Sequence, residues 1–547
     1  MRKEFDPIEL EILWSNLISI ADEATETLIR VAFSSVLREA SDFSFMLLDS
    51  RGNSLVQSAK SIPSFIGTLS TVLEHMLNKF PPSTLEPGDI LITNDPWIAS
   101  GHLPDIATVM PIFRGDRLVA FSGCIAHSPD IGGRIRSCDS REIYEEGLQI
   151  PMAKIFKAGK MNDELKEIIM QNVRVPDEWM GDLQAEVTAH KTAERKLLTL
   201  MDDHNLDNLN LLADTIQNYS ELALRNEIKK LPNTVCSHEI WLDGYEKPLN
   251  IKIQITISDD RIKVNYEGTC SQVDRGLNSV MNYTRAYTIF PIKALLIPEI
   301  PNNEGCFRPI EVTAPKGSLL NPRYPAAVGG RCLAGHILVA AVFGALSKAI
   351  PEKIPADPGS PIWILTLSGI NKKGRKFTNI GFYNGGIGAS IHGDGMNCMS
   401  FPSNLQNTPI EITEYLTPVV VEKKELRMDS GGAGKFRGGL GQEVTIRFDN
   451  EIPLTASFIN ERIKFPPSGR EGGKPGIKGE ILLNGKAMSS PKENKMIKKG
   501  DKLILKIPGG GGFGNPSQRD NAKIKEDILN GYISAEKAKL EYNYLEI

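Results

Sequence analysis

The N-terminal segment carries apolar residues at the spacing of an amphipathic helix. Asp6 is suited to cap this helix, because its carboxylate accepts hydrogen bonds from free backbone N–H groups, and Pro7 fits the first turn. The pattern predicts a helix from Pro7 to about Phe33, with a buried side made of Ile8, Ile12, Leu13, Leu17 and Ile20.

Two β-branched or apolar runs predict an antiparallel hairpin further along the chain. The runs cover residues 106–113 and 118–126, and the Arg-Gly-Asp-Arg sequence at 114–117 between them has the composition of a tight turn. If the turn centres near Gly115, the numbers of facing residues add up to about 230 in an antiparallel ladder.

This register brings three metal-binding side chains together. His127 comes to face Leu103 or Pro104, and His102 and Asp105 are then its close neighbours. Two imidazoles and one carboxylate are suitable ligands for Zn, Mn or Fe and leave open positions for water or substrate. We call His102, Asp105 and His127 the ligand triad.

Two further carboxylates lie close to the ligand triad in the sequence. Asp130 and Asp95 could orient a ligand imidazole or act as a base, so both are candidate catalytic residues. The alternative is structural, because a histidine beside a strand usually only forms hydrogen bonds. The hairpin geometry favours a metal site over that alternative.

The remaining pattern divides the chain into helical and β-rich regions. Long stretches without glycine between residues 162 and 231 predict a helical insertion, whereas alternating residues at 249–257 predict a second sheet. Glycine and proline rise beyond residue 351, which indicates short strands and frequent turns. We therefore predict an α+β (mixed α/β), multidomain fold whose regions are 1–160 (α/β, with the metal hairpin), 161–235 (helical), 236–350 (α/β), 351–520 (β-rich and glycine-rich) and 521–547 (C-terminal helix).

Composition narrows the possible partners and compartment. The 547 residues are 41% hydrophobic and 24% charged with a net charge of -4, so no basic excess indicates nucleic acid or an anionic membrane. No apolar run is long enough to cross a bilayer, and the N-terminus lacks the continuous apolar core of a secretory signal. Seven scattered cysteines without a CxxC pair indicate reduced thiols, so we expect a cytoplasmic protein.

Four glycine-rich segments invite a comparison with phosphate-binding loops: 384–388, 430–435, 437–441 and 509–514. None is a Walker motif, because Phe436 follows Lys435 where Ser or Thr would be needed. The last segment fits GxGxxG, but Asn515-Pro516 interrupts the helix that a dinucleotide fold requires. We interpret the segments as tight turns with positive φ or as sites of close backbone approach. The loop that follows the first one carries His392 and Asp394, which we predict as candidate catalytic residues.

Seven ordered motifs make the chain resemble the hydantoinase B family over nearly its whole length. This family includes N-methylhydantoinase B, the C-terminal half of ATP-dependent 5-oxoprolinase, caprolactamase and a subunit of acetone and acetophenone carboxylases. The motifs are NDPWIASGHLPDIATV (94–109), AHSPDIGG (126–133), EIYEEGLQIP (142–151), NVRVPDEWMGDLQAE (172–186), NEGCFRPIEV (303–312), DSGGAGKFRGGLG (429–441) and GGGGFGNP (509–516).

The resemblance implies the same metal ligands as the hairpin geometry. The family's pattern of His and Asp three residues apart, with a second His about 25 residues after the first, falls on the ligand triad. Two residues next to the ligands differ from the family's usual sequence. Gly101 stands where Thr is frequent, and Ser128 follows His127 where a second His is frequent. Neither departure removes a ligand.

The resemblance also implies a reaction divided between two subunits. A hydantoinase A type partner with an actin-like ATPase fold would bind ATP and phosphorylate an amide or carbonyl oxygen, and this chain would complete the chemistry on a divalent metal. We therefore expect the B subunit of an ATP-dependent cyclic amide hydrolase of hydantoinase or 5-oxoprolinase type, in a hetero-oligomer. The alternatives are a subunit of an ATP-dependent ketone carboxylase and a non-catalytic assembly subunit with structural histidines.

Overall fold

The computed structural model describes residues 5–488 and 490–545. The predicted first and last regions also include residues 1–4 and 546–547, which lie outside this range. The described part contains eleven helices: α1 Pro7–Val31, α2 Ser35–Arg38, α3 Thr68–Lys79, α4 Asp163–Asn172, α5 Pro176–Asp203, α6 Asn210–Ile228, α7 Met281–Leu296, α8 Cys332–Leu346, α9 Ile410–Leu416, α10 Asn521–Leu529 and α11 Ala535–Tyr542.

Twenty strands form four sheets in the described residues. Those of the first sheet are β1 Phe43–Asp49, β2 Ser54–Gln57, β3 Ile90–Thr93, β4 Asp105–Arg114, β5 Arg117–His127, β6 Ala153–Lys157 and β7 Lys160–Met161. Those of the second sheet are β8 Thr234–Leu242, β9 Leu249–Ser258, β10 Arg261–Asn265 and β11 Ile310–Thr313. The remaining strands are β12 Trp363–Ile370, β13 Lys376–Tyr383, β14 Val419–Leu426, β15 Gln442–Phe448, β16 Leu454–Ile459, β17 Glu480–Leu483, β18 Lys486–Ala487, β19 Asn494–Ile497 and β20 Lys502–Lys506.

The sheet order confirms the predicted mixed fold. The first sheet runs β2-β1-β5-β4-β3-β6-β7, and the second runs β11-β10-β9-β8. The C-terminal strands form a third sheet, β13-β12-β16-β19, and a fourth, β14-β15-β20-β17-β18. One hydrophobic core joins the first two sheets and their helices, while a second core fills the space between the third and fourth sheets.

The first helix begins and ends close to its predicted limits. The Asp6 carboxylate accepts a hydrogen bond from the Ile8 N–H at 2.9 Å, and Leu13, Leu17 and Ile20 are buried as predicted. Ile8 and Ile12 are not, because they are 72% and 48% exposed. Both lie about 150° or more around the helix from the centre of the buried stripe, so the predicted buried side was too wide.

The hairpin of β4 and β5 is confirmed, but its predicted register is wrong. His127 faces Asp105 instead of Leu103 or Pro104. The difference arises near the turn, where the register shifts between Ile112 and Phe113. A bulge adds one unpaired residue and moves every later pair along one strand, and the apolar pattern does not reveal it.

The hairpin is buried on both faces by its position at the middle of the first sheet. Strand β1 pairs with β5 on one side and β3 pairs with β4 on the other, while α5 packs against both hairpin strands. Residues Asp105 to Ile112 are all buried. No helix in the described part of the chain is long and apolar enough to cross a membrane.

The glycine-rich segments pack directly against one another in the C-terminal region. The Gly510 N–H donates to the Gly439 carbonyl at 2.8 Å, and the Gly439 N–H donates to Ile387 at 2.8 Å. Close backbone approach was therefore the correct interpretation. Positive φ was not, since among the glycines of these segments only Gly514 has it, at 73°.

A methyl group added inside these packed segments should destabilise the fold. A Cβ on Gly438 would lie 2.0 Å from the Gly510 carbonyl oxygen, so we expect Gly438→Ala to lower the free energy of unfolding by about 1–3 kcal/mol. Gly393→Ala is the matched control, because a Cβ there meets nothing within 4 Å. Urea unfolding should separate the two variants; equal stability would contradict this packing.

Candidate metal centre

The ligand triad lies where the hairpin opens away from its turn. Asp105 is the first residue of β4, His127 is the last residue of β5, and His102 precedes β4 in a short loop. One ligand atom from each residue lies within 4.8 Å of the others, and all three side chains are at most 2% exposed. The chain thus buries three metal-binding groups at one point.

Hydrogen bonds hold each ligand so that one atom points toward the other two. The His127 Nδ1–H donates to the Ser128 carbonyl at 2.7 Å, which leaves the Nε2 lone pair free of that bond. Asp105 Oδ2 accepts from Ser100 Oγ at 2.5 Å, while its Oδ1 lies 2.8 Å from His102 Nε2. Such fixed orientation is typical of metal ligands.

The protonation states also suit a cation. Burial, together with the Arg331 guanidinium, lowers the pKa of His102 to about 3. Burial and the Arg136 guanidinium hold the pKa of His127 well below its usual value. Burial would raise the pKa of Asp105, but the neighbouring His102 and Arg331 outweigh it and lower that pKa. At neutral pH the triad offers two neutral imidazoles and one carboxylate.

Arg331 packs against the triad through its ion pair with Asp105. Its guanidinium forms an ion pair with Asp105 Oδ2, donates from Nε to the Ser100 carbonyl at 2.6 Å and lies 3.9 Å over the Tyr283 ring. Gly101 makes room for it, because a Cβ there would meet Arg331 Cδ at 2.6 Å with φ at 98°. The glycine at this position, one of the two departures from the family, therefore allows the arginine to pack against the triad loop.

A second arginine lies at the open side of the triad. Arg136 Nη1 donates to His127 Nε2 at 3.2 Å, and its side chain is only half-buried. A metal on His127 would take the same lone pair, so Arg136 must turn aside when a metal binds. The positive charge of Arg136 would then face a substrate that approaches the triad.

A second carboxylate is buried beside the triad. The Asp42 carbonyl accepts the His127 N–H at 3.0 Å, and the Asp42 side chain is 5% exposed. Burial and the nearby Asp105 charge raise the pKa of Asp42 to about 7. Sequence reasoning missed this residue, because it precedes β1 and reaches the triad only through sheet pairing.

The residues present therefore fit a divalent metal. The donor set is two imidazole nitrogens and a carboxylate oxygen. On their other sides, His127 Nδ1–H donates to the Ser128 carbonyl, Asp105 Oδ2 accepts from Ser100 Oγ, and His102 Nδ1 lies 3.5 Å from the Gly329 carbonyl. Zn, Mn and Fe all accept this set, so the ligands do not choose among the three.

A small cavity adjoins the triad at His127. It has a volume of about 30 Å³, and its wall includes Asp130, Arg136, Glu146 and Thr366. Thr366 belongs to β12, so the third sheet closes the cavity over the end of the hairpin. The site is thus built by N-terminal and C-terminal parts of the chain together.

The two candidate carboxylates near the hairpin have different surroundings. Asp130 lines the cavity and forms an ion pair with Arg174, whose Nη1 lies 2.7 Å from Asp130 Oδ1. Asp95 accepts the Trp97 N–H at 3.0 Å and stabilises the loop before the triad. An acid or base role for either residue stays a prediction.

His392 and Asp394 lie in the C-terminal region. His392 is exposed, and Asp394 forms two hydrogen bonds to Arg519 at 2.7 and 2.8 Å. Neither residue is part of the wall of the cavity at His127, as far as the described residues define that wall. Their predicted catalytic role remains a prediction, and the ion pair gives Asp394 a structural contact.

Sequence reasoning also missed Arg136, Glu146 and Arg331. Glu146 stands inside the EIYEEGLQIP motif, whereas Arg331 lies in none of the seven motifs. Nothing local joined them to the triad. Their contacts with it depend on tertiary packing between distant segments.

Comparisons with known proteins agree with the motifs. Residues 6–516 match the family described as hydantoinase B/oxoprolinase. A 5-oxoprolinase of Saccharomyces cerevisiae is 31% identical over 549 residues, which cover 93% of this chain and 42% of the yeast protein. Caprolactamase subunit beta of Pseudomonas jessenii is 29% identical over 576 residues, which cover 98% of this chain and 96% of that subunit.

The fold is also similar to that of a solved structure. The crystal structure of an ATP-dependent caprolactamase from Pseudomonas jessenii aligns with a TM-score of 0.93 at 27% identity. The alignment covers 100% of this chain and 97% of the other.

Proposed function

Since the chain belongs to the hydantoinase B/oxoprolinase family, we propose that it is the metal-holding B subunit of an ATP-dependent cyclic amide hydrolase. The observation that carries the proposal is the ligand triad, whose three ligand atoms lie within 4.8 Å of one another in a buried site. A purely structural set of histidines would not need the carboxylate and both imidazoles to converge on one point.

In this proposal a partner subunit binds ATP and carries out the phosphorylation. The glycine-rich segments support this division, because they pack against one another. Two relatives support a partner as well: one is named a beta subunit, and the chain spans only 42% of the yeast 5-oxoprolinase. We propose that a hydantoinase A type ATPase phosphorylates the amide oxygen and that this chain acts on the product.

Residues of this chain would bind and orient that phosphorylated amide. A divalent metal on His102, Asp105 and His127 would supply a water of lowered pKa at neutral pH. Arg136 contacts His127 and lines the adjoining cavity, and its charge suits the phosphoryl oxygens. Ser100 and Arg331 keep Asp105 ionised and oriented.

The free thiols support a proposal about the compartment. All seven cysteines are free, and five of them are buried. Free thiols persist in a reducing compartment, so we propose a cytoplasmic location.

Reconstitution with an A-type partner tests the proposal. We expect the purified pair to release ring-opened acid from 5-oxoproline or a hydantoin only when ATP is present, and neither chain alone should do so. Chromatography of the products against time, with ATP omitted as the control, measures this.

Two other results would contradict the proposal. Turnover only with a ketone and bicarbonate would identify a carboxylase subunit. Full ring opening by a pair whose ligand triad has been removed would identify this chain as a non-catalytic assembly subunit.

A further inference from the structure

Three polar side-chain atoms without hydrogen-bond partners lie around the cavity beside the ligand triad. They are Glu146 Oε2, Arg136 Nε and Thr366 Oγ1, and all three residues line the cavity at His127. Buried polar groups in folded proteins are almost always paired. A cavity wall that contains three residues with such unpaired atoms is therefore suited to a polar ligand.

Glu146 is held firmly by its other oxygen. Its Oε1 accepts the Val328 N–H at 2.9 Å and the Gly329 N–H at 2.7 Å, and the residue is 7% exposed. The Gly329 carbonyl in turn lies 3.5 Å from His102 Nδ1. Glu146 is thus fixed next to the triad by the same short backbone segment that contacts a metal ligand.

From this geometry we infer that Glu146 is the acid that protonates the ring nitrogen of the cyclic amide as its C–N bond breaks. The inference rests on the proposed function and deepens it, because it assigns the leaving-group half of the reaction. The ligand of the cavity is then the part of the substrate that carries the amide nitrogen. The volume of about 30 Å³ leaves room for a small polar group, since a cavity needs about 10–15 Å³ to hold one water.

Every proton is accounted for when Glu146 acts as this acid. Water adds to the phosphorylated amide carbon and gives a tetrahedral carbon that carries a hydroxyl, the phosphoryl oxygen and an N–H. The C–N bond then breaks with its electron pair on nitrogen, and nitrogen takes the Glu146 proton. The hydroxyl proton returns to Glu146, which leaves an amine and an acyl phosphate. A second water releases phosphate and the free acid.

The charges around Glu146 allow it to keep a proton at neutral pH. Burial raises the pKa of Glu146 to about 8, the Gly329 and Val328 N–H groups lower it in part, and the Glu145 charge raises it while the Arg331 charge lowers it. The other titratable or charged groups on the cavity wall are Asp130, Arg134, Arg136 and His127. The acid form is present below the raised pKa, so turnover that needs it should fall as pH rises through about 8.

Glu146→Gln tests the inference with little change in shape. The amide oxygen of Gln can still accept the Val328 and Gly329 N–H groups, but Gln cannot donate the proton in question. We expect kcat of the reconstituted complex to fall by about 10²- to 10⁴-fold. The fall of kcat/KM on the alkaline side should disappear, and metal content should stay unchanged.

Glu186→Gln is the matched control. Glu186 is also a buried carboxyl whose pKa burial raises to about 8, but it accepts from Thr108 Oγ1 and is not among the described residues that form the wall of the cavity that Glu146 lines. A raised folded-state pKa stabilises the fold below the unfolded value, and that stability is lost as pH rises through the folded value. Both variants should therefore flatten the pH dependence of unfolding, while only Glu146→Gln should change the activity profile.

An infrared measurement provides a readout that does not depend on turnover. The difference spectrum of wild type minus Glu146→Gln should show one protonated carboxyl band that is sensitive to deuterium and is lost at alkaline pH, because the other buried carboxyls, such as Glu186, contribute equally to both spectra. An absent band in this difference spectrum would overturn the inference. So would a Glu146→Gln variant that keeps its kcat or its alkaline decline, or one that loses the metal, because Glu146 would then act only by positioning.

These results are distinguishable from failure of the proposed function. If the wild-type complex shows no ATP-dependent ring opening, the proposed function fails whatever Glu146 does. If the wild type is active and Glu146→Gln behaves like Glu186→Gln, the proposed function stands and only the role of Glu146 is overturned.

Discussion

Replacing His102 and His127 together with alanine should remove the bound metal and abolish ATP-dependent ring opening, while the chain stays folded. The two imidazoles are two of the three ligands that converge within 4.8 Å, so a single carboxylate cannot hold the ion in their absence. The hydrophobic core that runs through the first two sheets remains. Metal analysis, circular dichroism and product release measure the three expectations.

His75→Ala is the control for this double variant, because His75 is exposed on α3 and belongs to no described metal cluster. Asp105→Asn repeats the test without opening a cavity, since it removes charge and keeps the shape of the side chain. Unchanged metal content in the double variant would contradict the assignment of the ligands.

Replacing Arg331 with methionine should produce the largest loss of stability among single substitutions near the site. The guanidinium is 4% exposed and forms the ion pair with Asp105. Removal of one partner leaves the carboxylate buried with less compensation, which costs about 3–5 kcal/mol. Urea unfolding of metal-free protein measures the loss, and metal affinity should weaken as Asp105 loses its orientation.

Lys263→Met provides the comparison for Arg331→Met. Lys263 and Glu311 form an ion pair at 3.1 Å with side chains 58% and 57% exposed. Exposed pairs contribute about 0–1 kcal/mol, so this variant should unfold almost like the wild type. Equal destabilisation by both substitutions would mean that Arg331 is not a buried support of the triad.

Local sequence signals were sufficient to predict the hairpin and the convergence of the three triad side chains. The sequences of β4 and β5 are largely apolar and flank a recognisable turn. All three ligands lie in this hairpin or in the loop directly before it. The ligand set did not depend on the exact register, so the error caused by the shift between Ile112 and Phe113 did not affect it. The family resemblance is confirmed by the match over residues 6–516.

Other parts of the site could not be predicted in this way. Asp42 and Arg331 contact the triad and Glu146 lines the cavity beside it, each from a separate segment, and only the complete fold brings them together. The same limit applies to Gly438, since a glycine that permits close backbone approach looks like a turn glycine in the sequence. Periodicity identifies elements, whereas contacts between distant elements depend on the complete fold.

The most direct test of the central claim is the amount of ring-opened acid that the two-subunit complex releases after its metal is removed and then restored. We expect the chelated complex to form no ring-opened acid, and addition of about one divalent ion per B-type chain should restore the rate. Undiminished ring opening by the metal-free complex would contradict the claim that His102, Asp105 and His127 hold the catalytic metal.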